Sequence, residues 1–168
     1  MSNQSIKSKY DIYAIAIIPA KGTSARLPGK NLKKISDKTL VEYAIDYAKS
    51  SIYVRNVYVS TDSKEIELIA KKNGVVSVNR PEALLGEAEV ADIYVDLMQK
   101  ISNERITHVV GLQPDHPDRQ NKLDDMLHYF IDKNYMDLVT VDNKGVRNGS
   151  VRILKAEYVR SGMMSRRV

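Results

Sequence analysis

The sequence predicts an α/β fold, a three-layer sandwich in which helices cover both faces of a mostly parallel sheet. Three observations predict it. Strand-like and helix-like patterns alternate along the chain. The first apolar run, residues 12–18, is continuous and rich in isoleucine, whereas a strand with one wet face would alternate. Polar or glycine-bearing loops follow Ile18, Ser60 and Leu112, the ends of three strand-like runs, and open sheets of this kind hold their ligands at such ends.

Each element has its own signal. Past the first strand, Thr39 stands three residues before Glu42, the spacing of a capping box. Leu40, Val41, Ala44, Ile45 and Ala48 then share one helical face, with Glu42 and Asp46 on the other. Residues 54–60 read as a second strand. Asp62 is placed to cap the next helix, with Glu65 at its third position, Ile66, Ile69 and Ala70 as its buried stripe and Asn73-Gly74 as its stop. Residues 75–78 form a short strand. Val90, Ile93, Tyr94, Leu97 and Ile101 mark an amphipathic helix, 107–112 a strand, and Leu123, Met126, Leu127, Phe130 and Ile131 the helix after it. Residues 137–141 and 150–154 close the pattern as strands. No repeat, low-complexity tract or linker divides the chain, so one domain over residues 1–168 is expected.

Composition narrows the chemistry. There is no cysteine, which excludes a disulfide framework, thiolate catalysis and cysteine-ligated zinc. The histidines, His108, His116 and His128, lack zinc-site spacing. The net charge of +5 suits an anionic partner, either a nucleotide with an acidic substrate or nucleic acid, and is also common on plain soluble proteins. Against nucleic acid, the cations form no long stripe and no RNA-binding motif with stacking aromatics appears. No apolar run approaches the length of a membrane span, and residues 1–11 are polar with no secretory pattern. A cytoplasmic enzyme without a membrane partner is expected.

The loop after the first strand carries the chemistry. Lys21, Arg26 and Lys30 lie among Gly22, Thr23, Ser24 and Gly29. A small-residue turn leaves backbone N–H groups free to face phosphate oxygens, and the cations neutralise a polyphosphate. The spacing is not that of a Walker loop, since Asn31 stands where a magnesium-binding Ser or Thr belongs, and it lacks the Gly-x-Gly-x-x-Gly dinucleotide pattern.

Pro19-Ala-Lys-Gly-Thr-Ser-Ala-Arg-Leu-Pro-Gly-Lys-Asn31 resembles the nucleotide-binding signature of the acylneuraminate cytidylyltransferases, and Arg-Leu-Pro-Gly-Lys within it is also similar to the CMP-Kdo synthetases. Val59-Ser-Thr-Asp62, Asn79-Arg-Pro81 and Leu112-Gln-Pro114 with Pro117 and Arg119 follow in the family's order. The resemblance implies a nucleotide-diphospho-sugar transferase-like fold and transfer of CMP from CTP to an acidic keto sugar, releasing pyrophosphate. It implies that Ala20, Lys21, Gly22, Thr23, Ser24, Arg26, Lys30 and Asn31 hold the nucleotide, and that Arg80 contacts its cytosine or ribose. Lys30, Arg26 and Asp115 become the candidate catalytic residues.

Gln113-Pro-Asp-His-Pro-Asp-Arg119 crowds polar residues at a strand end. The sialic acid enzymes resemble Gln-Pro-Thr-Ser-Pro-Leu-Arg here, whereas the CMP-Kdo synthetases resemble Gln-Gly-Asp-Glu-Pro with a magnesium-binding aspartate. By that alignment Asp115 is the metal ligand for Mg²⁺, and Gln113, His116 and Arg119 face the sugar. No general base is identifiable. The chain also departs from the resemblance. Residues 142–149 replace a dimer-forming excursion, so a homodimer is expected only without its usual interface. Ala91 replaces a nucleotide-contacting serine, and no late aspartates follow Met163, as in a shortened chain. A nucleotide-binding relative with impaired turnover is therefore the alternative, and a nucleic-acid-binding module a second one.

Overall fold

The computed structural model describes residues 10–23, 27–85 and 88–165. Its strands and helices are β1 (Ala14–Pro19), β2 (Lys34–Ile35), β3 (Lys38–Thr39), α1 (Leu40–Lys49), β4 (Val54–Thr61), α2 (Lys64–Lys72), β5 (Val76–Asn79), α3 (Val90–Lys100), β6 (His108–Leu112), α4 (Leu123–Asp132), β7 (Asp137–Val141), β8 (Arg147–Lys155) and α5 (Ala156–Arg160). Apart from the small β2–β3 ribbon, the strands form one six-stranded sheet in the order β5-β4-β1-β6-β8-β7.

The helices divide between the two faces as the continuous first strand requires. Ala16 and Ile18 of β1 pack with Val41, Ile45, Ile66, Leu127 and Phe130 from α1, α2 and α4. Ile15 and Ile17 point the other way, toward Tyr94, Leu97 and Val159 from α3 and α5. A strand covered on both sides has no position left for a polar side chain. Gly111 of β6 permits the closest approach on this second face, since a Cβ there would lie 2.0 Å from the Tyr94 hydroxyl oxygen.

β1, β4, β5 and β6 run parallel, while β8 is antiparallel to both neighbours. The reason lies in the short connection between β7 and β8. Asp142 Oδ1 accepts from the backbone N–H groups of Lys144 and Val146 at 2.9 Å each, and Gly145 takes φ 78°. A tight turn of this kind joins antiparallel neighbours, because a parallel pair needs a long crossover. β8 therefore inserts between β6 and β7 and runs against the rest of the sheet.

Local signals set most element ends. The Thr39–Glu42 capping box forms in both directions. At α2 the expected cap is displaced by one residue: Ser63, not Asp62, accepts from the N–H of Ile66. Asp62 turns instead toward the loop after β1. One charge is buried in the sheet. Arg152 of β8 is 2 % exposed and binds Asp137 of β7 through Nε at 2.9 Å and Nη2 at 2.6 Å, with Nη2 also donating to the Ser165 carbonyl at 2.7 Å. No helix among the described residues is long and apolar enough to cross a membrane.

Candidate functional site

The parallel strands bring the carboxyl ends of β1, β4 and β6 to one edge of the sheet, and three loops meet there. The first begins at Ala20, which is buried and donates its N–H to the Ser60 carbonyl at 2.9 Å. Asn31 closes this loop: its buried side-chain amide donates to the Lys21 carbonyl at 2.9 Å. Gly29, at φ 64°, starts the 3₁₀ turn Lys30–Leu32 that presents Lys30. Ser24 and Arg26 lie outside the described residues. Thr23 is exposed.

The backbone N–H of Gly22, expected to face phosphate, donates instead to Asp62 Oδ1 at 2.7 Å. A carboxylate is the strongest nearby acceptor for that group, and the parallel β1–β4 pairing places Asp62 beside it. Gly22 also lies against Ser63 too closely for a side chain, as an added Cβ would stand 2.6 Å from Ser63 Cβ.

Arg80 follows β5 and is buried, with 5 % exposure. Its Nη2 donates to the Ser60 carbonyl at 2.9 Å and its Nε to Ser60 Oγ at 3.4 Å. Burial lowers the pKa of its guanidinium, and the Asp62 carboxylate opposes that pull.

The loop after β6 supplies Gln113, Pro114 and Asp115. Lys30 Nζ donates to Asp115 Oδ2 at 2.7 Å, joining residues 85 apart in sequence. His116 Nε2 stands 3.8 Å from Asp115 Oδ1. Burial pushes the Asp115 carboxyl up, but the Lys30 hydrogen bond and charge, with His116, outweigh it and hold the group below its ordinary value. Asp115 is thus ionised at neutral pH.

A cavity of about 160 Å³ results, lined by Lys21, Lys30, Asn31, Arg80, Gln113 and Asp115, with Leu84, Val90 and Ile93 as an apolar wall. Drug-sized ligands usually fill about 300–1,000 Å³, so this space takes only part of a nucleotide at once. Ala91 is buried in the core behind this wall. A larger hollow of about 660 Å³ between α4 and β7 holds none of the candidate site residues that the sequence suggests.

Arg119 was expected to face a substrate, yet its guanidinium is engaged with the protein backbone. Nη1 donates to the His116 carbonyl, Nη2 to those of Gln113 and Ser150, and Nε to that of Ser150 at 3.1 Å. The plane also lies over the Tyr47 ring, 5.2 Å from its centroid. Arg119 thus ties the loop bearing Asp115 to the start of β8. Sequence reasoning pointed to the loop after Ser60 but read Asp62 as a helix cap, and it missed the apolar wall as part of this region. The signal for Asp62 was its place directly beyond the end of a buried strand.

Among the described residues lining this cavity, Asp115 is the one carboxylate. Among the described residues no group of three or more His, Asp or Glu gathers as a metal site. Asp115 alone suits Mg²⁺ when a bound polyphosphate shares the coordination, because this ion is held through one or two carboxylates plus phosphates and water.

Comparison with known proteins identifies the family and the fold. Residues 15–159 match the family described as Cytidylyltransferase. The chain is 36 % identical over 110 residues to a CMP-N,N'-diacetyllegionaminic acid synthase of Legionella pneumophila, covering 63 % of this chain and 47 % of that protein. It is 30 % identical over 104 residues to a 3-deoxy-manno-octulosonate cytidylyltransferase of Solibacter usitatus, covering 61 % and 38 % respectively. The chain thus spans less than half the length of either relative. Among solved structures, a CMP:2-keto-3-deoxy-manno-octonic acid synthetase complexed with CTP superposes with TM-score 0.69 at 19 % identity, over 90 % of this chain and 78 % of that one. A cytidylyltransferase of Leptospira borgpetersenii gives TM-score 0.71 at 24 % identity, over 92 % and 66 %. A Mycobacterium tuberculosis protein of the same fold, in complex with manganese, gives 0.65 at 15 % identity, over 92 % and 77 %.

Proposed function

The chain belongs to the cytidylyltransferase family, and from that premise we propose that it transfers CMP from CTP to an acidic keto sugar of the Kdo or sialic acid type, with release of pyrophosphate. One observation carries the reading: Lys21, Lys30, Arg80 and Asp115 line one cavity at the carboxyl edge of the sheet. Cations in such a cavity suit a polyphosphate, and a single carboxylate suits the metal that travels with it.

The anomeric hydroxyl of the sugar attacks the α-phosphorus of CTP: its oxygen–phosphorus bond forms, the bond to the pyrophosphate oxygen breaks, and the hydroxyl proton passes to solvent. Lys21 and Lys30 neutralise phosphate oxygens as charge shifts to the leaving group, and Arg26 joins them. Asn31 keeps the loop in shape through its bond to the Lys21 carbonyl. The backbone of residues 20–23 borders the nucleotide, and Arg80, braced on Ser60, meets its cytidine side. Gln113 and His116 orient the sugar, and Arg119 keeps their loop in place. Asp115, together with the phosphates, would hold Mg²⁺, which would supply charge neutralisation and lower the pKa of the attacking hydroxyl.

Thermal-shift titration with CTP, ATP, GTP and UTP, with and without Mg²⁺, tests the reading. Stabilisation by CTP above the others, and pyrophosphate release with Kdo-type or sialic acid-type sugars, is expected. No shift with any nucleotide refutes the site, and a CTP shift without release on either sugar class leaves only binding.

A further inference from the structure

We propose that the Lys30–Asp115 ion pair makes divalent-metal binding conditional on a polyphosphate, so that the free site refuses the metal and the nucleotide admits it; this rests on the nucleotidyltransferase reading above. Three features argue for it. The first is occupancy of the carboxylate. Lys30 Nζ holds Asp115 Oδ2 at 2.7 Å, and His116 Nε2 lies 3.8 Å from Oδ1. A metal reaching this aspartate must displace an ammonium group from it.

The second is the charge of the lining. Lys21, Lys30 and Arg80 face the cavity with Asp115 opposing them. A net positive enclosure repels a dication, and more strongly than bulk water permits. The third is the ligand count. No group of three or more His, Asp or Glu among the described residues gathers as a metal site. Mg²⁺ is held through one or two carboxylates together with phosphates, and one carboxylate already paired with an ammonium group is a weak anchor for it or for Mn²⁺.

A polyphosphate reverses each of these. Its multiple negative charges compete with one carboxylate for Lys30. It changes the sign of the field in the cavity, and it supplies the missing oxygen ligands. The exchange needs little backbone movement, because Lys30 carries its charge on a flexible stem and both partners are about one-third exposed. A polyphosphate is able to take the lysine because it offers that cation several negative charges in place of one, whereas the lysine repels a dication.

Mn²⁺ binding to the full chain, read by water-proton relaxation, tests the coupling with and without CTP and with no sugar present. Asp115→Asn serves as the reference, because CTP binds Mn²⁺ by itself. Expected for the wild type is Mn²⁺ binding at least about tenfold tighter with CTP, beyond what Asp115→Asn shows. Lys30→Met and Lys30→Gln, each with wild-type circular dichroism, should bind Mn²⁺ without nucleotide about tenfold more tightly than the wild type. Adding Asp115→Asn should remove that gain. A CTP-induced gain in Mn²⁺ affinity no larger in the wild type than in Asp115→Asn overturns the proposal, and so does unchanged nucleotide-free affinity in both Lys30 variants. Calorimetry of CTP binding in EDTA separates the two layers. No CTP binding there or in Mg²⁺ refutes the nucleotide site and the coupling with it, whereas CTP binding with Mn²⁺ affinity indifferent to it refutes the coupling alone.

Discussion

Gly22→Ala perturbs the loop after β1 at a point where the cost follows from geometry. The new methyl would lie 2.6 Å from Ser63 Cβ and 3.3 Å from Ser63 Oγ. Carbon atoms in contact prefer about 3.5–4.0 Å, so the overlap is about 1 Å. Neither side yields easily. Ser63 caps α2, and the Gly22 N–H is held by Asp62 at 2.7 Å. Overpacking typically costs about 1–3 kcal/mol, and at this half-exposed loop about 1–2 kcal/mol is expected, a fall in Tm of about 3–6 °C. Ser63→Gly removes the opposing Cβ and, at an N-cap, costs only a few tenths of a kcal/mol, roughly. Urea unfolding of the wild type, both single variants and the double closes the cycle. The double variant should regain about 1 kcal/mol over Gly22→Ala alone. Additivity of the two changes within about 0.5 kcal/mol would falsify the reasoning.

The other predictions concern buried charge, pH and the second loop. Asp137→Ala strands the Arg152 guanidinium, which is 2 % exposed, and should cost about 3 kcal/mol in urea unfolding. Adding Arg152→Met should recover part of that loss, and a single-variant loss under about 1 kcal/mol refutes the pairing as a stabilising contact. His108 sits edge-on to Phe130, and burial, with the Lys155 charge, lowers its pKa from 6.5 to about 4. The unfolded chain therefore takes up a proton that the folded one refuses. The His108 contribution is fully present above pH 6.5 and lost as pH falls toward about 4, a change of up to about 3 kcal/mol. His108→Gln should flatten that part of the stability–pH curve, and an unchanged slope contradicts the assignment. Arg119→Lys loses the fork that grips three backbone carbonyls. It should weaken Mg²⁺-dependent CTP binding about tenfold with little change in metal-free binding, measured by calorimetry, and equal losses in both argue against a hold on the Asp115 loop.

Much of the fold was legible because its determinants are local. The spacing of Leu40, Val41, Ala44, Ile45 and Ala48 predicted α1, and all five side chains are buried. Thr39 and Glu42 formed the box that their separation implied. The cap of α2 was misplaced by one residue because Asp62 and Ser63 are both good caps. The choice fell to Ser63 once Asp62 found the Gly22 N–H, a partner 40 residues away. The opposite run of β8 was also hidden, since a strand's apolar pattern reads the same in either direction.

By itself, the sequence determined the succession of strands and helices, the two-faced burial of β1 and the gathering of cations in one loop. Periodicity, capping and composition act within a few residues, so the order of amino acids suffices to specify them. Only the tertiary structure decided what those cations meet. Lys30 reaches Asp115 across 85 residues because the sheet sets β1 beside β6, and Arg119 turns inward because β8 presents the Ser150 carbonyl. Such contacts depend on strand order and on competition among distant partners, which no local pattern encodes.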